Sequence, residues 1–243
     1  MMQHNDDETA QRVRDDRGSV DPAEAKRLHD VLITLLSRGR SNKLAPVVNA
    51  VLKRRPSRVL DIGCGRGALA IFLAVRGMAV TGIDLQQSDM DAGERLAARL
   101  GVDSVAFVRM DACAVTLSGF DLALSTDFYE HLPPRSQSAH LASVFQALSP
   151  GGVYIIRAPH RRNIRQQGPG HVGLPSYASL RRQAEEAGFF TRFSISHTAV
   201  AAPFAYHIPL ERWLESRHWS DLAVYKGLQK CGLANVIAHL EKR

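Results

Sequence analysis

Residues 59–68 read VLDIGCGRGA, and this stretch decides the fold. The mostly apolar beginning predicts a buried strand, three glycines follow, and the apolar run from Ala68 to Val75 predicts a helix. Glycine lets the backbone turn sharply and approach a ligand closely, and the helix N-terminus beyond it offers free N–H donors. The stretch therefore predicts a ligand-binding loop. On these residues alone, a dinucleotide fingerprint and a glycine loop without a ligand both remain open.

Short apolar strands alternate with amphipathic helices on either side of this loop. The predicted strands lie near residues 58–62, 79–84, 104–110, 121–125, 153–158 and 189–196, and the helices between them near 68–75, 89–100, 134–148 and 176–187. This alternation is typical of an α/β fold, with a doubly wound, mostly parallel sheet covered by helices on both faces. Residues 199–206 are a weaker strand candidate, which Pro203 would confine to an edge or a bulge.

The two ends of the chain lack this alternation. Residues 1–20 are predicted to be a polar, mobile tail, and residues 21–243 a single domain with a helical cap at 21–53, a core at 56–200 and C-terminal helices at 209–241. The last two helices are expected at 210–217 and 220–240. Their apolar stripe favours core packing or a dimer face over a membrane-surface helix, so we expect a monomer or a homodimer.

Composition narrows the class of protein and of partner. The longest apolar run among the 243 residues is 68–75, too short for a membrane span, and the acidic N-terminus does not resemble a secretion signal. Three widely spaced cysteines exclude a disulfide framework and a CxxC metal site, so we expect a protein of the reducing cytoplasm. No metal ligands are predicted. The net charge of +7 favours an anionic partner: nucleic acid, a membrane surface or a small acid.

Three aspartates end the first three predicted strands. Asp84 ends the second strand, where a carboxylate can accept both hydroxyls of a ribose, and Asp111 closes the third, where an acceptor can take the amine of an adenine. Nicotinamide and adenosyl cofactors both satisfy these two positions. Asp61 separates them, because a carboxylate two residues before the glycines would repel a pyrophosphate and attract an ammonium or a sulfonium. Asp61 as a simple strand-end cap remains the alternative.

The motifs VLDIGCGRGALA, VTGIDL, FVRMDA, FDLALSTDFYEHL and LSPGG occur in this order over residues 56–197. In this the sequence resembles the class I S-adenosylmethionine-dependent methyltransferases, and within them the small-molecule branch typified by ubiquinone-pathway O-methyltransferases. The resemblance implies a Rossmann-like, seven-stranded sheet in the order 3-2-1-4-5-7-6 with the last strand antiparallel, and S-adenosyl-L-methionine as the cofactor.

The resemblance also implies roles for individual residues. The methionyl end of the cofactor would lie against Asp61, Gly63, Gly65 and Gly67, and its amine against Ser125, Thr126 and Asp127. Asp84 would bind the ribose with Leu85 beside it, and Asp111 and Ala112 would bind the adenine. The expected reaction is methyl transfer by in-line displacement to a small, polar or anionic acceptor.

Two histidines follow the fourth and fifth predicted strands, where an acceptor should bind. His131 has a side chain whose ordinary pKa suits a general base near neutral pH, and His160 is the second candidate. The alternative for His131 is that it hydrogen-bonds loop backbone and shapes the pocket, since alignment of the reactants alone sustains many such reactions.

The segment from Arg157 to Arg182 contains six arginines and no acidic residue. Arg161, Arg162 and Arg165 are predicted to bind an anionic acceptor from a mobile loop, because guanidinium groups match carboxylate and phosphate oxygens. A solvated basic face is the alternative. An RNA acceptor is less favoured, since residues 125–128 read STDF where base-methylating enzymes carry a [DN]PP[FYW] loop. A catalytically silent adenosyl-binding subunit and, more distantly, a nicotinamide dehydrogenase are the remaining alternatives.

Overall fold

The computed structural model of the protein describes residues 44–161, 167–194 and 235–243. Seven strands in these ranges form one sheet in the order β3-β2-β1-β4-β5-β7-β6. The strands are β1 (Arg58–Ile62), β2 (Ala79–Asp84), β3 (Val105–Arg109), β4 (Phe120–Thr126), β5 (Leu148–Pro159), β6 (Phe189–Ser194) and β7 (Asn235–Lys242). β1 to β5 pair in parallel, and β7 is antiparallel to both β5 and β6. The predicted fold class and strand order are confirmed.

Five α-helices in the described ranges cover the two faces of the sheet. They are α1 (Ala45–Arg54), α2 (Ala68–Val75), α3 (Gln87–Arg99), α4 (Pro134–Ala147) and α5 (Tyr177–Glu186), and a short 3₁₀ turn spans Tyr129–His131. One hydrophobic core joins α1 and α2 to the sheet, and a second joins α4 and α5 to the opposite face. In the part of the chain that the structure describes, no helix has both the length and the apolar composition needed to cross a bilayer.

Parallel strands with helical connections bring their carboxyl ends to one edge of the sheet. The loops after β1, β2 and β3 occupy one half of this edge, and the loops after β4 and β5 occupy the other half, in accordance with the strand order. Every predicted site residue among the described ranges lies on one of these connections or near the end of the strand before it. The fold thus divides the edge into two halves, which we call the first half and the second half.

The C-terminal prediction is wrong over residues 235–240. These residues were expected to end a helix, and they form β7 instead, in the middle of the antiparallel end of the sheet. Val236, Ile237 and Leu240 have helix-like spacing, but β7 is buried on both faces, so it lacks the alternation that reveals an exposed strand. The tail at 1–20, most of the helical cap, the strand candidate at 199–206 and the helices expected from 210 to 234 lie outside the described residues.

Candidate functional site

The glycine loop between β1 and α2 has a backbone that only glycine adopts easily. Gly63 has φ +69°, and a Cβ there would overlap the Phe128 ring, which comes from the loop after β4. Gly65 has φ +51°, and no heavy atom of the described residues lies within 4 Å of where its Cβ would be. Gly63 is therefore needed for packing between the two halves of the edge, whereas Gly65 leaves a bare backbone facing open space, as a close-fitting ligand requires.

The Asp84 carboxylate is held in place by backbone N–H groups on both sides. One oxygen accepts a hydrogen bond from Gly65 N at 2.9 Å, and the other accepts from Gln86 N at 3.0 Å. Each carboxylate oxygen can accept more than one bond, so both can still receive a hydroxyl proton. Leu85, the next residue, is 58% exposed. A rigid pair of acceptors beside an uncovered apolar side chain suits a ribose joined to a flat base.

Asp61 is the most strongly perturbed carboxyl of the first half. It is 3% exposed, and its pKa is raised from 3.8 to about 7, first by burial and then by the nearby charge of Asp84, although a hydrogen bond from the Ala70 backbone lowers it. A buried carboxylate of this kind is stabilised by an adjacent positive charge. The ligand that completes this half of the site is therefore expected to be cationic near Asp61.

The loop after β3 places Asp111 and Ala112 differently. Asp111 is exposed, and one of its oxygens accepts a hydrogen bond from Cys113 N at 2.8 Å. Ala112 is buried, and its carbonyl oxygen lies 2.8 Å from His140 Nδ1. A carbonyl can only accept, so the proton of the His140 ring is on Nδ1.

A buried polar network continues from His140 to the end of β4. His140 Nε2 lies 2.8 Å from the Tyr154 hydroxyl, which lies 2.7 Å from Ser125 Oγ. Burial lowers the pKa of His140 to about 4, so the ring is neutral, the Tyr154 hydroxyl donates to it, and Ser125 donates to Tyr154. The side chain of Ser125, a predicted cofactor residue, is thus fully buried and is hydrogen-bonded to Tyr154. Its sequence context did not indicate this network, because the partners are distant along the chain.

The other two residues predicted at the end of β4 have different surroundings. Thr126 is half-buried, and Asp127 has φ +54° and forms an ion pair with the guanidinium of Arg157. Asp127 N also donates to Arg157 O at 3.0 Å. Arg157 is 3% exposed, so this arginine, one of the six counted between 157 and 182, fixes the ends of β4 and β5 to each other.

The second half of the edge contains the two histidines predicted to be catalytic. His131 lies on the 3₁₀ turn, is exposed, and has its Nδ1 2.8 Å from Gly170 O. Since that carbonyl can only accept, Nδ1 carries the proton and Nε2 has the lone pair. His160 is 4% exposed and stacks on Tyr177 with 5.3 Å between the ring centroids. The exposed His131 is better placed than the covered His160 to meet an acceptor.

Two residues near His131 had no predicted role. Glu130 is 1% exposed and His171 is half-buried, and both approach His131. Burial raises the pKa of Glu130, and Asp127 adds to this, whereas the nearby His131 and His171 lower it. Glu130 adjoins His131 in the sequence, but His171 is 40 positions later, after the Gly168-Pro169-Gly170 stretch, and only the fold brings it to this place.

The predicted arginine set is described in part. Arg161 is exposed, and its backbone N–H donates to Pro175 O at 2.8 Å. Arg162 and Arg165 lie outside the described residues. Further along, Arg181 packs over the Phe193 ring and Arg182 pairs with Glu186 at 3.8 Å.

Comparison with known proteins identifies a methyltransferase domain in this chain. Residues 59–152 match the family profile named Methyltransferase domain. The chain is 32% identical over 154 residues to a ubiquinone biosynthesis O-methyltransferase of Psychrobacter cryohalolentis, covering 61% of this chain and 59% of the relative. These matches, with the fold, support a class I S-adenosylmethionine-dependent methyltransferase, although the chain spans only about three fifths of the length of such relatives. It is also 30% identical over 165 residues to a trans-aconitate 2-methyltransferase of Deinococcus radiodurans, covering 65% of this chain and 58% of that protein.

Solved structures share the fold of this methyltransferase chain. The YcgJ protein of Bacillus subtilis superposes with a TM-score of 0.62 at 16% identity, covering 83% of this chain and 98% of that one. The magnesium protoporphyrin IX methyltransferase of Synechocystis, solved with bound SAH, superposes with a TM-score of 0.58 at 17% identity, covering 93% and 90%.

The residues of the first half fit S-adenosylmethionine, the cofactor of this family. The open space beside Gly65 accommodates a closely bound ligand, Asp84 has acceptor capacity for two ribose hydroxyls, and the buried Asp61 calls for a positive charge. S-adenosylmethionine carries an ammonium and a sulfonium and has no phosphate. This combination of ribose and cation is what the three residues require.

Proposed function

We propose that the protein transfers a methyl group from S-adenosylmethionine to a small anionic acceptor. The observation that carries this proposal is the buried Asp61 carboxylate behind the glycine loop, in a chain whose family uses a cationic adenosyl cofactor. A nicotinamide dinucleotide would instead bring a pyrophosphate toward this carboxylate, which the two like charges oppose.

When bound, S-adenosylmethionine supplies an electrophilic methyl group with a neutral thioether as its leaving group. The work left to the chain is to align the acceptor with that methyl group and to remove the acceptor's proton. Asp61 and Asp84 hold the cofactor, and the Phe128 ring under Gly63 ties the cofactor loop to the turn that contains His131. His131 Nε2, which has the lone pair, takes the acceptor proton.

The anionic acceptor is supported by charge and by two relatives. Arg161 lies two residues after the end of β5, in the second half of the edge, where we expect the acceptor to bind. Both named relatives methylate small molecules, to judge from their names, and trans-aconitate is a carboxylate. We extend this class of acceptor to the present chain. The free thiols of Cys64 and Cys113 are consistent with our further proposal that the enzyme works in the reducing cytoplasm.

The test is an unbiased search for the methylated product. The full-length protein is incubated with a cell extract and S-adenosylmethionine that carries a deuterated methyl group, and both the small-molecule and the RNA fractions are examined by mass spectrometry. We expect a labelled small acid that is absent when the Asp84→Ala variant replaces the wild type. Label found only in RNA, or in neither fraction, would contradict the proposal.

A further inference from the structure

Glu130, His131 and His171 form a cluster of ligand-type side chains in the second half of the edge. One ligand atom from each of the three lies within 4.8 Å of the other two. A metal ion with bonds of about 2.1 Å places its ligand atoms roughly 3.3–4.2 Å apart, so a small adjustment of rotamers would close the cluster around an ion. The His131 and His171 rings already meet edge to face, with centroids 4.9 Å apart.

Glu130 provides an independent sign that a ligand is expected here. The residue is 1% exposed, and its Oε2 finds no hydrogen-bond partner among the described residues. A buried carboxylate oxygen without a partner destabilises the folded protein, because it loses its hydrogen bonds to water and forms none within the protein. A bound cation at the cluster would satisfy this oxygen directly.

His131 is oriented as metal-binding histidines usually are. Its Nδ1–H donates to Gly170 O at 2.8 Å, which fixes the ring and leaves the lone pair on Nε2. A backbone carbonyl that accepts from the second ring nitrogen is the common support of a histidine ligand.

The loop that contains His171 is held against the 3₁₀ turn by several hydrogen bonds. Gly173 N donates to Glu130 O at 2.8 Å, and the Gln137 side chain donates to Gly173 O at 2.6 Å. A Cβ at Gly173 would overlap the Leu132 carbonyl, so glycine is needed for this close approach. His171 is thereby placed beside Glu130 before any ion arrives, which lowers the entropic cost of binding one.

We propose that Glu130, His131 and His171 bind one divalent transition-metal ion of the zinc type. Two imidazoles and one carboxylate suit Zn²⁺, for which Co²⁺ is a spectroscopic substitute, better than Mg²⁺, which prefers an all-oxygen set. Three protein ligands leave at least one position open, as in metal sites that bind water or substrate. The open position would take an acceptor oxygen and lower its pKa, a role that rests on the proposed methyl transfer. The ion would then replace His131 Nε2 as the group that promotes loss of the acceptor proton, because one lone pair cannot bind the metal and take the proton.

The experiment measures metal uptake by the full-length protein without cofactor or acceptor. Zn²⁺ affinity is determined by competition with a chromophoric chelator, and the visible absorption of added Co²⁺ reports its ligands. We expect saturable binding of one Zn²⁺ in the wild type and a loss of roughly a hundredfold in affinity in both Glu130→Gln and His171→Ala. The matched control Glu186→Gln, which removes an exposed acid on α5, should bind Zn²⁺ as the wild type does.

Binding of S-adenosylhomocysteine shows that each variant is folded, because the cofactor half does not contain these residues. Wild-type protein without saturable Zn²⁺ uptake would overturn the proposal. So would variants that bind S-adenosylhomocysteine normally and retain wild-type Zn²⁺ affinity. Either result leaves the methyl-transfer proposal standing, since that proposal is tested by the labelled product and not by metal uptake.

Discussion

The two halves of the carboxyl edge differ in how their functional side chains are held. In the first half, Asp61 is the second-last residue of β1 and Asp84 is the last residue of β2, and backbone N–H groups donate to both carboxylates. In the second half, His131 and His171 lie on a short turn and a loop, and the contacts that position them join one loop to another. We therefore expect the first half to hold its ligand rigidly and the second half to adapt more easily to different acceptors.

The two halves of the edge also differ in the charge of their side chains. The first half contains the carboxylates of Asp61 and Asp84, whereas the second combines histidines with a buried glutamate and, at its margin, Arg161. Substitutions in the first half should therefore change cofactor affinity, and substitutions in the second should change turnover or acceptor binding. A first-half substitution that changed only turnover, or a second-half substitution that changed cofactor affinity, would contradict this division.

The largest effect is expected at His131. If its Nε2 removes the acceptor proton, His131→Ala should lower kcat by roughly 10²–10⁴ and leave cofactor affinity unchanged. Steady-state kinetics on the acceptor found by mass spectrometry, together with calorimetric titration of S-adenosylhomocysteine, measure both quantities. A fall in kcat of less than about tenfold would show that alignment of the reactants accounts for most of the catalysis and that His131 only shapes the pocket.

The next largest effect is expected at Asp84. Asp84→Ala removes the acceptors for two ribose hydroxyls and releases the Gly65 and Gln86 N–H groups, which should cost about 3 kcal/mol or more and weaken adenosyl binding over a hundredfold. Calorimetric titration with S-adenosylhomocysteine measures this loss. Asp91→Ala on α3 is the matched control and should bind normally, because Asp91 accepts a hydrogen bond from the exposed Gln87 side chain, outside the cofactor loop. Unchanged affinity in Asp84→Ala would contradict the proposal that the first half binds the adenosyl cofactor.

Asp61 should make cofactor binding depend on pH. Its pKa of about 7 in the folded protein means that protonation competes with a cationic ligand, so affinity for S-adenosylmethionine should fall by up to about tenfold per pH unit below 7. Calorimetry from pH 8 to pH 5.5 measures the slope. Asp61→Asn should bind weakly and with a flat profile over this range. A wild-type affinity independent of pH would mean that Asp61 does not face the cation.

The same residue should limit stability at alkaline pH. Because folding raises the pKa of Asp61 from 3.8 to about 7, its contribution to stability is complete below pH 3.8 and is lost as the pH rises through 7. Asp61→Asn removes this loss, so at pH 8 we expect its Tm to exceed that of the wild type by roughly 5 °C. The difference should shrink at pH 5, where the wild-type carboxyl is mostly protonated. A variant that is both weaker in binding and more stable would identify Asp61 as a residue kept for function.

The strands of the first half could be predicted closely from the sequence. Those at 58–62 and 79–84 are observed with their predicted bounds, because each is a short, mostly apolar run with an aspartate at or next to its end. The ligand-facing groups there are close to the strand ends in the chain, so local pattern and spatial position coincide.

The second half depends on contacts between distant segments, and sequence patterns do not report these. Ser125 is predicted to contact the cofactor, yet its hydroxyl is hydrogen-bonded to Tyr154, 29 positions later. His171 and Glu130 meet only because the loop after β5 folds back over the 3₁₀ turn. β7 was missed for a related reason, since a strand buried on both faces has the apolar spacing of a helix.

The smallest effect is expected at Arg161, and it sharpens the distinction between substrate classes. Since Arg157, Arg181 and Arg182 have partners within the fold, fewer arginines of this segment face an acceptor than their number suggests. Arg161→Glu should raise KM for an anionic acceptor several-fold and leave cofactor affinity unchanged, whereas Arg182→Glu, the matched control, should change neither. The salt dependence of wild-type KM decides the class of acceptor. A small acid gives a shallow slope, because few ion contacts are screened, while RNA gives a steep one, since each neutralised phosphate adds about 0.7–0.9 to the log–log slope. An unchanged KM in Arg161→Glu would mean that this arginine is only part of a solvated surface.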